Sequence, residues 1–449
     1  MSDTKTPIRT KFFFGVGAFG YGSIGQTIAS FLMFFGTGVL GIPGTLMGLA
    51  IGISTVWDAT TDPFVGHFSD RTRSRRFGKR HGWILFAGFM VAICNILLWT
   101  IPIDISIAGK FWMMLCVLLL LETFNTCYST PYGALGLDLS KSYNDRTAMQ
   151  NFKTAFSFLS LLVPSVLMVF LLQDANDVTG FLSIAFITSA LCIICALICF
   201  VGTYKHRPIN TDPPREKKKM SSVIGEFFGI AKQKNVGRLI AGYAVSLTAG
   251  AFLTSLGLHV FTYTFSFSMM QIPIIMVCLI AGIILAQPFW YFISKRTDKI
   301  VALICSLGLL LVCMAVFALI LMFRGFMPVE VSLVLTCMVI FMCGVGTGCL
   351  YSLPISMYAD CIAVQQEKTG ESNTGKSAGF LTFCTKISNA VILFVIGLSL
   401  DIIGFSGSQS VQSVAVQNWL GIILITGISV ACVVAMFIYS KYSYSRTDF

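Results

Sequence analysis

Long apolar stretches alternate with short polar loops along the whole chain. Each stretch reaches roughly 20 residues or more, the length that an α-helix needs to cross the hydrocarbon core of a bilayer. Because the number of stretches is even, both termini are expected on one side of the membrane. The twelve predicted spans lie near residues 13–39, 44–68, 82–103, 110–138, 151–174, 178–203, 236–264, 271–294, 300–323, 329–357, 376–401 and 416–440.

Composition supports a membrane protein. Of the 449 residues, 55% are hydrophobic and 11% are charged, and the mean hydropathy is +0.81, whereas about a quarter of the residues in a soluble domain are charged. Fifteen cysteines are scattered through the apolar segments, where packing as small hydrophobic side chains is their expected role. The sequence therefore predicts an all-α membrane protein.

The net charge of +11 is concentrated in the loops on one side of the predicted membrane, and the opposite side carries only Lys110 and Arg324. This asymmetry is the positive-inside signal of a multi-pass protein. Both termini are therefore expected in the cytoplasm and the protein in the cytoplasmic membrane, in contact with the lipid bilayer. The charge needs no nucleic-acid partner to explain it.

A polar stretch divides the chain into two halves. Residues 1–203 are predicted to form an N-terminal six-helix bundle, residues 204–235 a cytoplasmic central loop, and residues 236–449 a C-terminal six-helix bundle. Many membrane transporters are built from two such repeats, which enclose a site at midplane depth. The two bundles are therefore predicted to be pseudo-symmetric.

Two acids stand four residues apart inside the second span, at Asp58 and Asp62. At this helical spacing they share a face, with Cβ atoms roughly 5–6 Å apart. Two carboxylates so close in a low dielectric repel each other, so they need a proton, a metal cation such as Na⁺, or a buried base. The pair predicts a cation-coupling site; the alternative is two acids facing a water-filled vestibule.

Polar residues also line one side of the fourth span. Glu122, Asn125, Thr126 and Ser129 follow helical spacing, which produces a face suited to the hydroxyl groups of a sugar. A hydrogen bond between packed helices is the alternative role for Glu122.

Three further polar residues lie within spans. Lys386, in the eleventh span, needs a partner at that depth, and we expect it to approach Asp58 and Asp62. Lys153 either belongs to the pocket or extends to the membrane surface. His259 either relays protons or packs through a hydrogen bond.

Trp57, directly before Asp58, either stacks on a sugar ring or fills the interior. At the cytoplasmic end of the second span, Asp70 lies where the helix dipole disfavours an acid. A basic partner is expected there and would latch a gate. Candidates are Arg71, Arg73 and Arg146.

One nucleotide-binding motif is rejected. Residues 370–377 read GESNTGKS and satisfy the phosphate-loop pattern, but that pattern requires a preceding buried strand and a helix packed on a sheet. Here a membrane span lies on either side of it. No nucleotide partner and no cofactor other than the coupling ion, H⁺ or Na⁺, is expected.

Several segments resemble the glycoside-pentoside-hexuronide:cation symporters of the major facilitator superfamily. They are KFFFGVGAFGYG at 11–22, WDATTDPFVGHFSDRTRSRRFGKR at 57–80, TPYGAL at 130–135, DRTAMQNFK at 145–153 and EKTG at 367–370. The resemblance covers essentially the whole chain. It implies twelve helices in two six-helix bundles, with alternating access to a midplane site.

The resemblance also implies roles for single residues. Asp58 and Asp62 match the family's cation-binding acids, and Lys386 matches its eleventh-helix lysine. Thr126 and Thr382 match polar positions near the site. Thr61 stands where sodium-using members have Asn, which favours a proton over sodium.

The sugar-binding acids of melibiose-type members are replaced by Gly22 and Ser129. Galactoside recognition through those carboxylates is therefore not expected. Glu122 is one substitute acid. Alternatively, Lys153 and Lys386 favour an anionic sugar such as a hexuronide.

The sequence thus predicts a secondary transporter, acting as a monomer, that moves a small glycoside or other sugar together with H⁺ or Na⁺. A lysolipid or organic-anion carrier of the same fold is the first alternative, and a non-transporting membrane sensor is the second. An enzyme is not expected, because no span holds a nucleophile with its base or a cluster of metal ligands.

Overall fold

The computed structural model describes residues 6–139, 143–174, 177–206, 234–369, 374–407, 409 and 411–442. Within these ranges the secondary structure is helical. The first half contains α1 (Ile8–Phe34), α2 (Gly44–Arg71), α3 (His81–Trp99), α4 (Ile107–Asp138), α5 (Tyr143–Ser160), α6 (Leu162–Leu171) and α7 (Val178–Thr203). The second half contains α8 (Lys234–His259), α9 (Ile272–Arg296), α10 (Lys299–Phe323), α11 (Val329–Thr369), α12 (Thr374–Ile402) and α13 (Val414–Ser440).

Each of the twelve predicted spans lies on a helix, although those at 82–103 and 151–174 run past the helix ends at Trp99 and Leu171. The predicted all-α membrane fold is confirmed. Within the described ranges, ten helical segments are long and apolar enough to cross a bilayer. Helices α5 and α6 together form one of these ten, with a break at Leu161. Helices α1 and α2 occupy the other two predicted spans, and α2 is the helix that carries Asp58 and Asp62.

The chain forms two compact units. Residues 1–42 and 53–215 make the first unit, and residues 43–52 and 216–449 make the second. The first turns of α2 thus belong to the second unit and the rest of α2 to the first. The predicted central loop at 204–235 lies largely outside the described residues.

Contacts within the second unit explain why the start of α2 belongs there. The carboxylate of Asp401, on α12, accepts hydrogen bonds from the backbone N–H groups of Gly44 at 2.6 Å and Thr45 at 2.8 Å. These are N–H groups that a helix leaves without an internal partner at its N-terminus, where a negative charge is also favoured by the helix dipole. A side chain at Gly44 would meet the backbone oxygen of Gly397 at 2.4 Å. The helix start therefore approaches α12 backbone to backbone.

Both units repeat an irregular feature at the end of their first helix. A π-helical turn, Phe35–Val39, follows α1, and another, Val260–Thr264, follows α8. The backbone hydrogen bonds of the two turns correspond. In the first unit, Leu40 N–H donates to Phe35 O and Ile42 N–H donates to Gly36 O. In the second unit, Phe265 N–H donates to Val260 O and Phe267 N–H donates to Phe261 O. The next residue with left-handed backbone is Gly41 (φ +64°) in one and Ser266 (φ +56°) in the other. This correspondence supports the predicted pseudo-symmetry.

The two basic residues on the less basic side have structural roles near these turns. The ammonium group of Lys110, which is buried, donates to Leu40 O at 2.7 Å. The guanidinium of Arg324 donates to the side-chain oxygen of Gln417 at 3.3 Å, and the backbone oxygen of Gln417 accepts from Thr264. Cations near helix C-termini complement the helix dipole. Both residues thus stabilise the fold, which explains these exceptions to the charge asymmetry.

A glycine crossing holds α9 against α11 in the second unit. A Cβ atom on Gly344 would lie 2.2 Å from Leu279 O, and one on Gly282 would lie 2.2 Å from Phe341 O. Small residues at such crossings let two membrane helices approach closely enough for backbone contact. No larger side chain fits at either position without separating the helices.

Candidate functional site

The two acids of α2 face hydroxyl groups of α4. The hydroxyl of Thr126 donates to Asp58 Oδ1 at 2.5 Å, and the hydroxyl of Thr130 donates to Asp62 Oδ1 at 3.4 Å. Because each pair is spaced by four residues, one helical turn, the two contacts form successive steps between α2 and α4. Thr126 is fully buried, and both carboxylates are half-buried.

Thr61 adds a third hydroxyl to this cluster. The hydroxyl of Thr61 donates to the backbone oxygen of Asp58, and its oxygen lies 3.5 Å from the hydroxyl oxygen of Thr126. The donor set is therefore composed of carboxylate and hydroxyl oxygens, which suit a proton or a hard cation such as Na⁺ rather than a soft metal. Among the described residues, no group of three or more His, Cys, Asp or Glu side chains could hold a metal.

A second set of polar side chains continues along α4. The amide of Asn125 donates to Glu122 Oε2 at 3.3 Å, and the indole N–H of Trp57 donates to the hydroxyl of Thr123 at 2.9 Å. Trp57 is 45% exposed, so its side chain does not fill the interior. Glu122 is one turn from Thr126, and this places the polar face next to the carboxylate pair.

The predicted pocket lysine of the first unit lies beside α4. The ammonium of Lys153 is 5.8 Å from the ring centre of Tyr132 and half-buried, an arrangement typical of a cation–π contact. Ser129, on α4, is half-buried. At Gly22, where melibiose-type members have an acid, a Cβ atom would lie 2.7 Å from Ser160 Oγ. Ser160 therefore occupies the space that an acid would need.

Three predicted site residues belong to the second unit. His259 is fully buried, and its ring packs edge-on against Phe405 at 5.2 Å. Thr382 is exposed on α12, and Lys386 is half-buried one turn further along that helix. The expected approach of Lys386 to Asp58 and Asp62 stays a prediction.

The ionic cluster at the end of α2 is centred on Arg80. Its guanidinium binds Asp70 and donates to Asp138 at 3.2 Å and to the Ser69 hydroxyl at 2.6 Å, while Lys79 lies 3.7 Å from Asp70. Asp70 and Asp138 lie at the C-terminal ends of α2 and α4, where the helix dipole favours a cation nearby.

Arg80 was not among the sequence-based candidates. Arg71 and Arg73 are exposed, and the side chain of Arg146 lies outside the described residues. The missed signal was Asp138 at the end of the fourth span, a second acid that needs the same cation.

The second unit has a corresponding ion pair. Lys299, at the start of α10, binds Asp360 of α11 at 2.5 Å and the Ser356 hydroxyl at 2.9 Å. Arg80 likewise directly precedes α3 and binds an acid of α4. In each unit, a cation next to the start of the third membrane-spanning segment therefore binds an acid of the fourth.

The chain is similar over most of its length to known membrane proteins. Sodium-dependent lysophosphatidylcholine symporter 1 of Gallus gallus is 24% identical over 450 residues, which cover 90% of this chain and 80% of that protein. The symporter YjmB of Bacillus subtilis is 24% identical over 453 residues, which cover 100% and 94%. A solved structure of a bacterial homolog of the lysosomal transporter Spinster matches with a TM-score of 0.69 at 13% identity and covers 96% of both chains.

The helical fold and the family match together define a membrane transporter of the major facilitator type. A model of the MFS/sugar transport protein family matches residues 13–446, and the chain belongs to that family. The resemblance read from the sequence motifs is thereby confirmed.

Proposed function

We propose that the protein carries a small glycoside or sugar acid into the cell, together with H⁺ or Na⁺. The observation that carries this proposal is the continuous polar surface of α2 and α4. On it, the exposed indole of Trp57 and the amide–carboxylate pair of Asn125 and Glu122 lie next to the cation cluster. An aromatic face beside hydroxyl, amide and carboxylate groups is suited to a sugar ring, whose faces are apolar and whose edges are hydroxylated.

Asp58 and Asp62 would hold the coupling ion, with Thr61, Thr126 and Thr130 as additional oxygen donors. Without the ion, two neighbouring carboxylates resist transfer into a closed, desolvated intermediate. Cation and substrate together remove that penalty and shift the population toward the state that reorients. Lys153 extends the pocket toward an anionic substrate, which supports a hexuronide within the sugar class.

The distribution of basic residues supports a location in the cytoplasmic membrane with both termini inside. In that orientation, Arg80 and Lys299 would each lie at the cytoplasmic end of its unit. They would there latch a gate that opens to release the substrate.

A second candidate substrate is a lysophospholipid. The likeness to the sodium-dependent lysophosphatidylcholine symporter of Gallus gallus favours it, since that alignment covers 90% of the chain. The polar groups around Trp57 would then bind a headgroup rather than a sugar ring.

Uptake by proteoliposomes separates these candidates. Labelled glycosides, hexuronides and lysophosphatidylcholine would be tested with an imposed sodium gradient, with an imposed pH gradient, and with neither. Accumulation of a sugar above its outside concentration under one gradient supports the first proposal. Accumulation of lysophosphatidylcholine alone supports the second candidate, and binding without flux of any substrate contradicts both.

Replacement of Thr126 tests the cation site directly. Thr126→Val keeps the shape but removes the hydroxyl that donates to Asp58, whereas Thr126→Ser keeps the hydroxyl. Since a hydrogen bond to a charged group contributes roughly 1.5–3 kcal/mol, the valine variant should require roughly 10- to 100-fold more coupling cation for half-maximal uptake. The serine variant should remain close to the unmodified protein. Equal cation requirements for the valine variant and the unmodified protein would show that Thr126 does not support the ion.

A further inference from the structure

A long apolar groove runs between α12 and α13 in the second unit. Its volume is about 570 Å³, and α8 forms its floor. Phe252 on the floor is buried, whereas the walls expose Val391 and Val395 of α12 and Val430 and Val434 of α13. Exposed valines on helices that cross a membrane form a surface for hydrocarbon rather than for water.

Three of the four hydroxyl groups in the lining donate to the backbone. Thr248 donates to Val245 O at 2.7 Å, Ser399 to Val395 O at 2.8 Å, and Thr426 to Ile422 O at 2.7 Å. Each of these hydroxyl groups therefore already donates to the backbone of its own helix. The groove offers mainly methyl and methylene surface, which binds apolar chains and not sugars.

The dimensions match one leaflet of a bilayer. Along α13 the lining extends from Ile423 to Val434, and at 1.5 Å per helical residue this is about 16 Å. The hydrocarbon core of a bilayer is about 30 Å thick, so the groove is about half as long as the core is thick. A single acyl chain in one leaflet has this length.

Two cations lie beyond one end of the groove. Arg238, near the start of α8, donates to the backbone oxygen of Lys441 at 2.5 Å, and the ammonium of Lys441 lies 4.0 Å from the ring centre of Phe437. Arg238 precedes the lining residue Val245, and Lys441 follows Val434, each by about 10 Å along its helix. Both positive groups therefore lie where the headgroup of a lipid would be if its acyl chain were in the groove.

We propose that this groove binds one acyl chain of an anionic phospholipid, whose phosphate lies at Arg238 and Lys441. Charged groups at a membrane surface attract anionic lipids, and a guanidinium binds phosphate with directed hydrogen bonds. Free phosphate would gain nothing from the groove, and a neutral lipid would gain less from the two cations. The assignment does not depend on which substrate the protein carries.

A photoreactive lipid tests the site in the complete protein. The protein would be placed in nanodiscs that contain phosphatidylglycerol or phosphatidylcholine with a diazirine on one acyl chain, and labelled peptides would be located by mass spectrometry. We expect phosphatidylglycerol to label residues 387–399 and 423–434 more strongly than phosphatidylcholine does. Equal labelling by the two lipids, or labelling elsewhere only, would overturn the proposal.

Lys441→Gln removes one charge but keeps the backbone oxygen that Arg238 binds. Labelling of the groove by phosphatidylglycerol should fall about fivefold, the effect of one basic residue near a membrane surface. Arg296→Gln is the matched control, because Arg296 stacks on Phe292 at the same 4.0 Å but lies on α9, away from the groove. An equal loss in both variants would mean nonspecific attraction and would count against the site.

A second pair of variants tests the groove itself. Val430→Trp should fill it and abolish the labelling, whereas Val433→Trp, on the same helix but outside the lining, should not; the two valines are 61% and 54% exposed. Thermal unfolding of both variants shows whether they are folded. Competition with lysophosphatidylcholine identifies the other possible occupant. Loss of groove labelling at lysolipid concentrations that saturate transport would assign the groove to a carried substrate and overturn the phospholipid proposal.

Discussion

Asp58→Asn is expected to abolish uphill accumulation of the carried substrate. The amide has nearly the shape of the carboxylate but cannot hold a proton or balance a cation at neutral pH. The imposed gradient then no longer distinguishes the two orientations of the carrier, so the ratio of internal to external substrate should stay at about 1. The measurement is the time course of uptake into proteoliposomes under an imposed sodium or pH gradient.

Exchange of labelled for unlabelled substrate provides the necessary second readout. Because the charge repulsion within the Asp58–Asp62 pair is also relieved by this substitution, exchange without a gradient should persist. Asp104→Asn, in an exposed loop, is the matched control and should accumulate substrate normally. Full accumulation by Asp58→Asn would contradict the coupling role, and loss of both accumulation and exchange would point to a folding defect instead.

Gly344→Ala is expected to have the largest effect on stability. The added methyl group would lie 2.2 Å from the backbone oxygen of Leu279, and a backbone atom cannot turn aside as a side chain can. Overpacking of this kind costs about 3 kcal/mol at the upper end of its range. For a chain of this length, a fall of the apparent unfolding temperature by about 3 °C should follow. It is measured by intrinsic fluorescence of the detergent-purified protein at one fixed scan rate.

Gly308→Ala is the control for helix propensity. Gly308 lies on α10 and a Cβ atom there has no neighbour within 4 Å, so alanine should be neutral or stabilise by about 0.5–1 kcal/mol. Unfolding temperatures that agree between the two alanine variants would show that the close crossing of α9 and α11 is not tight in solution.

The cation pair could be read from the sequence because acids inside an apolar span are costly and therefore informative. Thr126 was also accessible, since it follows the helical spacing of the polar face on α4. Thr130 was not singled out, because a threonine in a membrane helix commonly donates to its own backbone. Only the relative rotation of α2 and α4 shows that it faces Asp62.

Other features depended on tertiary contacts that no local pattern contains. Arg71, Arg73 and Arg146 are the partners that the sequence predicts for Asp70, whereas Arg80 reaches it from the start of α3 after the chain turns back. The assignment of the first turns of α2 to the second unit depends on Asp401, which is far away in the sequence. Hydropathy alone describes α2 as one uninterrupted span.

The paired π-turns after α1 and α8 also decide which way the following residues face. One extra residue in a helix rotates every side chain beyond it by about 100°. Because the hydrogen bonds of the two turns match, this rotation is the same in both units. Each turn is followed by a residue with left-handed backbone, Gly41 in the first unit and Ser266 in the second. The path of the main chain is therefore the same at both places although the side chains differ.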